Sequence, residues 1–450
     1  MPNKTARETN LMKPAAKRKL IAAAISLMFT QGASSTGLSD VIGQTLANSP
    51  EVLEISAERD SRAHEVRQAR AGYYPSLDLA AGVGREWTES PGTGNSEVEL
   101  TRRETSLSLR QMLFDSYATP SEVARHTART NAAAYSVMGT AQDVALNTTD
   151  VYLELLKQRK LLVLATENLA IHKRIHEQIK LRSDSGVANR ADLSQIDGRL
   201  ALAESNVIAA ENNVREAEAN YLRVTGQMIG EQMQRPEDIS ASLPPSFDLA
   251  LQQALREHPT LASANQDIEQ AKAQHGAARH NLYPRVHLEI DKRWDDNIDG
   301  VVGSNEDLTA MIRLRWNLYS GGRDRARRQQ TATLVEEAKA IRNRTHRQVE
   351  QTLRLAWASY QSTLRQREFL RKHSESVTAA RDVYTRQFNI GQRSLLDLLD
   401  TENEVFEARR AFLDADYANL YAQYRILNAM GGLLQELEVQ LPTQTAMLQD

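Results

Sequence analysis

Apolar positions along this chain change their spacing from helical to alternating and back, and then do so a second time. From Leu38 to Ala71 they recur every three or four residues, with a break at Ser49-Pro50, which predicts two short helices ending before Pro75. Alternation follows: Leu77, Leu79, Ala81 and Val83 on one face, Asp78, Ala80 and Gly82 on the other. Residues 88–104 hold Ser-Pro-Gly and Gly-Asn-Ser and read as a turn-rich loop, after which Leu107, Leu109, Gln111 and Leu113 alternate again. The pattern predicts strands over 76–87 and 105–114. A helix over 119–183, with almost no Pro or Gly, then turns at Gly186 into a return helix over 191–225.

The second pass repeats the first. Leu46, Pro50, Ala69-Arg70 and Tyr74-Pro75 correspond to Leu255, Pro259, Ala278-Arg279 and Tyr283-Pro284; further on, Gly186, Asp192 and Gly226 correspond to Gly391, Asp397 and Gly431. Strands are predicted over 285–294 and 308–318. A long helix over 323–388 carries the stripe Leu334, Ala338, Ile341, Thr345, Val349, Leu353, Ala356 and Tyr360, and a return helix covers 395–430. The units are thus 36–226 and 248–440, joined by a linker at 227–247 with Pro236, Pro244 and Pro245, and followed by a polar tail at 441–450. A repeat of roughly 200 residues is an internal duplication of a large module, not a short-period solenoid. Helices of ~65 residues make rods of about 97 Å, so they must pack along one another as coiled coils. Each unit then has a β-hairpin at one end and a helical tip at the other.

The strands are two-faced, with charges opposite the apolar row: Arg285, His287, Glu289 and Asp291 in one, Arg313 and Arg315 in another. Aromatics bracket them, Trp87 and Trp294 beside the long loops and Phe114 and Tyr319 at the far end. Strand length and these aromatics favour a membrane barrel, but a half-buried soluble sheet has the same alternation, and the pattern leaves both open.

Composition narrows the rest. Lys13, Lys17, Arg18 and Lys19, an apolar run over 20–30 and Gly32-Ala33-Ser34-Ser35 predict an export signal over 1–35. With no cysteine there is neither disulfide nor thiolate metal site, and a net charge of −3 gives no reason to expect nucleic acid. His172 and His176 lie one helical turn apart but lack a third ligand and read as a solvated face, so no metal is expected. The basic run 323–328 reads as a wetted collar at a helix start. No nucleophile elbow or phosphate-cradling loop is present; neither an enzyme nor a cofactor is expected.

Three features together carry a resemblance: the duplicated Tyr-Pro before each hairpin, the block Leu318-Tyr319-Ser320-Gly321-Gly322-Arg323, and the tips Gly186-x5-Asp192 and Gly391-x5-Asp397-x2-Asp400. Over about residues 38–440 the chain resembles the TolC family of outer-membrane channel proteins. The resemblance implies a mainly α fold with a small β portion. It implies a homotrimer in which four strands per chain, twelve in total, build a barrel in outer-membrane lipid, continued by a periplasmic α-helical coiled-coil barrel. Asp397 and Asp400 match the family's constricting rings, and Asp192 and Arg393 match contacts of its closed gate; the tips at Gly186 and Gly391 would dock a periplasmic adaptor joined to an inner-membrane transporter of ABC type. Three departures stand out: Phe388 replaces a family tyrosine, Gln195 stands where the second copy has Asp400, and Ser116-Tyr117 stands where it has Gly321-Gly322. Residues 409–431 look most like the secretion and agglutination branch, which implies type I protein secretion. The alternatives are multidrug or small-molecule efflux, and a periplasmic coiled-coil scaffold with a soluble hairpin sheet.

Overall fold

The duplication is visible element by element in the computed structural model, which describes residues 37–185, 189–228, 233–280 and 282–448. The predicted export signal at 1–35 and the tip glycine Gly186 lie outside the described residues. Helices α1 (Leu38–Asn48) and α2 (Pro50–Arg70) open the first unit. Ser49 separates them, its hydroxyl accepting from the Val52 amide while Pro50 takes the first helical turn, where its missing N–H costs nothing. The hairpin β1 (Ser76–Thr88) and β2 (Val98–Phe114) follows. Then come the long helix α3 (Ala118–Asp184) and the return helix α4 (Arg190–Thr225). The second unit repeats the order as α5 (Phe247–Glu257), α6 (Pro259–His280), β3 (Arg285–Asp296), β4 (Ser304–Arg315), α7 (Arg323–Asn389) and α8 (Leu395–Met430). Both long helices have 67 residues and both return helices 36. At 1.5 Å per residue the rods are about 100 Å long and the return helices about 54 Å.

Each rod is therefore flanked in two pieces: α4 and α8 along the tip half, α2 and α6 along the half nearer the sheet, with α6 lying against both rods. Small residues make the close approach possible. Ala203, Ala210 and Ala217 are buried one heptad apart on α4. The main core lies where the half-length helices meet, at the middle of the rods. Tyr152 and Leu155 of α3, Leu353 and Ala356 of α7, Ile42 of α1, Ala250 of α5 and Tyr424 and Ile426 of α8 are all buried there. The linker is fastened over this core: Tyr152 Oη donates to the Gln234 carbonyl at 2.7 Å and the Ile239 amide to Gln423 Oε1 at 2.9 Å. Buried Asp416 holds Arg235 of the linker at 2.7 Å and Arg367 of α7 at 2.6 Å. The tail is docked as well, with the Leu448 amide on Asn131 Oδ1 at 2.8 Å.

The four strands form one antiparallel sheet in the order β1-β2-β3-β4, so the β2–β3 ladder sews the two copies together. The limits of β2 and β4 differ most from expectation. β2 begins at Val98 and not at 105, because Val98 to Glu104 pair with Thr88 to Gly82 of β1 and Arg102 grips Glu86 across the ladder at 2.6 Å. Those charges hid the strand among loop residues. β4 runs from Ser304 to Arg315, earlier than the predicted 308–318; beyond it Trp316 Nε1 turns to the Leu282 carbonyl and the Tyr319 amide to Asn317 Oδ1. At the sheet-to-rod junction Ser116, Tyr117, Gly321 and Gly322 all have positive φ, between 59° and 88°. The backbone turn is thus the same in both copies. The first copy holds it with side chains: Ser116 Oγ donates to the Pro284 carbonyl at 2.8 Å, and Tyr117 packs edge-on to Phe114.

Gly431 ends α8 at φ 81°, and a Cβ there would sit 2.7 Å from Pro259 Cδ at the α5–α6 joint. Gly431→Ala should destabilise the protein by roughly 1–3 kcal/mol. Gly43→Ala, mid-helix in open space, should be neutral or slightly stabilising. Thermal dissociation of the detergent-extracted oligomer distinguishes the two.

Candidate functional site

Two regions concentrate chemistry, the helical tip and the polar face of the sheet. At the tip all four long helices meet in a small apolar cluster, with Ile175 and Ile179 from α3, Ile196 from α4, Phe388 from α7 and Leu395, Leu398 and Leu399 from α8. Phe388 is 5% exposed, with the Arg182 guanidinium 5.0 Å over its ring. A phenol in that apolar cluster would need a partner for its hydroxyl, which accounts for phenylalanine at this position.

The candidate gate residues surround this cluster. Asp397 belongs to a capping box at the start of α8: its carboxylate accepts from Ser394 Oγ at 2.9 Å while its own amide donates to that oxygen at 3.2 Å. Arg393 lies 3.8 Å from Asp397, donates to Gln387 Oε1 at 3.1 Å and stacks 4.2 Å over the Tyr384 ring. Within the single chain no ion pair among the described residues joins Arg393 to Asp192, both of which the resemblance places among the gate contacts. Asp192 sits in the first turn of α4, its amide donating to the Asn189 carbonyl at 3.1 Å, while Tyr384 and Gln387 keep Arg393 on its own hairpin. Asp400 pairs instead with Arg199 of α4 at 2.7 Å, a link between the two hairpins. Sequence gave no sign of it, because ordinary surface arginines look the same. Gly391 ends its helix at φ 78° with open space around it, in the left-handed region that favours glycine.

Just behind the tip lies a buried polar layer that the sequence did not suggest. Glu402, His172 and Asn168 are all under 10% exposed. His172 Nδ1 meets the Asn168 carbonyl at 2.9 Å, and Arg381 reaches Glu402 at 3.4 Å. The reading of His172 as part of a solvated face is therefore corrected; only the neighbouring His176 is partly open, paired with Asp197 at 3.0 Å. No cluster of His, Cys, Asp or Glu able to hold a metal occurs among the described residues.

The sheet separates its chemistry by face. In register, Leu77, Leu79 and Val83 share one side with Leu107, Leu109, Leu288, Ile290, Ile312 and Leu314. Many of these are more than 60% exposed in the single chain, Val83 at 76% and Ile312 at 70%. From Leu77 to Trp87 the strand covers about 33 Å, which a tilt of about 40° reduces to about 25 Å of height. Trp87 and Trp294 lie toward the loop end of this face, and Phe114 and Tyr319 mark the end nearer the rods. The opposite face is charged: Glu289 receives Arg313 at 2.6 Å and Arg315 at 3.0 Å, with Arg110 at 3.4 Å. No helix among the described residues is long and apolar enough to cross a membrane.

Burial raises the pKa of Glu402 above the ordinary carboxylate range, opposed by Arg381 and, more weakly, by His172 and Arg409. The folded tip therefore takes up this proton more readily than the unfolded chain. Its contribution to stability is fully present below the ordinary glutamate value and is lost as pH rises through the raised one. As pH falls from neutrality toward the ordinary glutamate value, the wild-type protein should gain more thermal stability than Glu402→Gln, which mimics the protonated layer throughout. Equal pH responses in the two proteins would contradict this account.

Comparison with known proteins agrees with this geometry. Residues 41–227 and 250–432 match the family model for outer membrane efflux proteins. The chain is 25% identical over 426 residues to outer membrane efflux protein BepC of Brucella suis, covering 92% of this chain and 90% of that one. It is 24% identical over 451 residues to the proteases secretion protein PrtF of Dickeya chrysanthemi, covering 94% and 95%. A crystal structure of a membrane protein from Pseudomonas aeruginosa has the same fold, with a TM-score of 0.78 at 18% identity over 88% of this chain and 90% of that one. The fold is that of trimeric channels with a barrel and a helical tunnel, and such channels work with adaptor and inner-membrane transporter partners. This chain belongs to the outer membrane efflux protein family, the TolC family, and is an outer-membrane channel with periplasmic helices, not an enzyme.

Proposed function

We propose that this channel is the outer-membrane exit duct of a type I protein secretion system, opened at its coiled-coil tips by a periplasmic adaptor and an inner-membrane ABC transporter. The observation that carries the reading is the match to the protease secretion protein over 94% of this chain and 95% of that one. Small-molecule efflux is the second reading, favoured by the match to BepC. A soluble periplasmic scaffold falls with the family membership and outer-membrane location. In this proposal the exposed apolar face of the sheet meets lipid, and Trp87, Trp294, Phe114 and Tyr319 lie at its two interfaces. The adaptor docks at the turns around Gly186 and Gly391.

The gate is proposed at the tip. Asp397 and Asp400 retain 42% and 58% side-chain exposure beside their partners, and three chains set them in rings that narrow the entrance and gather cations. Arg393 and Asp192 flank the rings, and the Arg199–Asp400 pair holds the two hairpins of each chain together. Exposed pairs of this kind are each worth about 0.2–1 kcal/mol, small enough for a docking partner to overcome.

Deleting the gene should remove particular polypeptides from the culture medium and leave sensitivity to drugs and dyes unchanged. Unchanged secretion with increased sensitivity would decide for efflux. In planar bilayers, Asp397→Asn combined with Asp400→Asn should weaken block by a trivalent cation added at the periplasmic side, since an asparagine oxygen at 397 can still accept from the Ser394 amide while the charge is gone. Undiminished block would exclude the rings.

A further inference from the structure

The charged face of the sheet is not uniformly charged, and its polarity changes along the barrel axis. In register from the rod end, the first rows carry Arg315 with Arg285, then Arg313 with His287, then Arg110 with Glu289. The rows beyond carry Asp78 and Asp291, then Arg293 with Asp307, then Glu104 with Asp295. Acidic groups therefore predominate toward the loops and arginines toward the helices. Because the other face is the apolar one, closure of the barrel turns this face to the water-filled interior.

Glu289 is the centre of the basic band. Its side chain is only 9% exposed, enclosed by Arg313 at 2.6 Å, Arg315 at 3.0 Å and Arg110 at 3.4 Å. One carboxylate cannot neutralise three guanidinium groups, so a surplus of two positive charges per chain remains and recurs three times around the wall. The arginines keep 43–59% of their side chains open while Glu289 anchors one nitrogen of each. Free guanidinium N–H groups in fixed positions suit carboxylate or phosphate oxygens, which they grip in pairs. Low-dielectric walls on all sides strengthen the field inside a pore beyond that of the same charges on an open surface.

We infer that the rod-side end of the barrel interior is a binding girdle for multivalent oxyanions, built by Arg110, Arg313 and Arg315 around Glu289. It lies at the other end of the helical tunnel from the tip aspartates and is of opposite sign. An anionic segment in transit meets it on leaving the helical tunnel, whatever the cargo is.

Citrate added to the extracellular side of full-length trimers in a planar bilayer tests this, with voltage driving anions inward. Wild-type current should be blocked in a concentration-dependent way that weakens with salt. Arg313→Gln with Arg315→Gln should raise the half-blocking concentration roughly tenfold, and lysine at both positions should restore most of it. Glu289→Gln should lower it, because it adds to the surplus and not to the packing. The paired tip variants Asp397→Asn and Asp400→Asn should leave it unchanged, which separates failure of the girdle from failure of the gate. An absence of citrate block in the wild type, equal block in the double glutamine variant, or weaker block in Glu289→Gln overturns the inference. If the double glutamine variant does not form heat-modifiable trimers, the Glu289→Gln result decides.

Discussion

Backbone hydrogen bonding in lipid is the constraint on which the rest of this molecule depends. A sheet of four strands has two outer edges, and each unpaired N–H or C=O there would cost several kcal/mol inside a bilayer. Pairing β4 of one chain with β1 of the next removes the edges, and identical chains can do so only by closing a ring. Closure then determines which face is wet. It makes Leu79, Val83 and Ile312 lipid-facing and puts Glu289, Arg313 and Asp291 inside, although in a single chain both faces meet solvent.

The same ring organises the helices. Each hairpin leads through a left-handed two-residue turn into a rod, so the strand positions fix where the rods begin. Matched lengths do the rest: paired rods and paired return helices bring both tips to one level, where seven apolar residues from four helices close over them. Gly321-Gly322 adopts the turn without a Cβ penalty. Ser116-Tyr117 adopts it against a cost of about 1–2 kcal/mol each, offset by a hydrogen bond and an aromatic contact.

Much of this was legible in the sequence because period and duplication are properties of the chain itself. The helical stripes, the Gly and Pro breaks and the alternation of Val286, Leu288 and Ile290 required no partner to be read. What stayed hidden depends on contacts distant in sequence. β2 extends to Val98 because β1 lies beside it, and Arg102 looks like a loop residue until Glu86 is placed diagonally across the ladder. Arg199 gives no local sign that Asp400 is its partner. Family likeness alone makes Phe388 a tyrosine without its hydroxyl, whereas the structure makes it the plug of the tip cluster. The roles of the tip aspartates come from family likeness; by pattern alone Asp397 is a favourable charge near a helix start, and the structure puts it third in a helix capped by Ser394.

The core at mid-rod has a mechanical consequence. The rods are held at one end by strands and at the middle by the packing around Tyr152, Leu353 and Tyr424, so they cannot swing as rigid bars. Compliance belongs to the outer half, a cantilever of about 50 Å. Moving its end by 5 Å needs only about 11° of bend spread along that length, gentler than the natural curvature of long helices. A large change in aperture at the entrance is thus compatible with almost no strain in the wall, and the barrel can stay still while the far end opens.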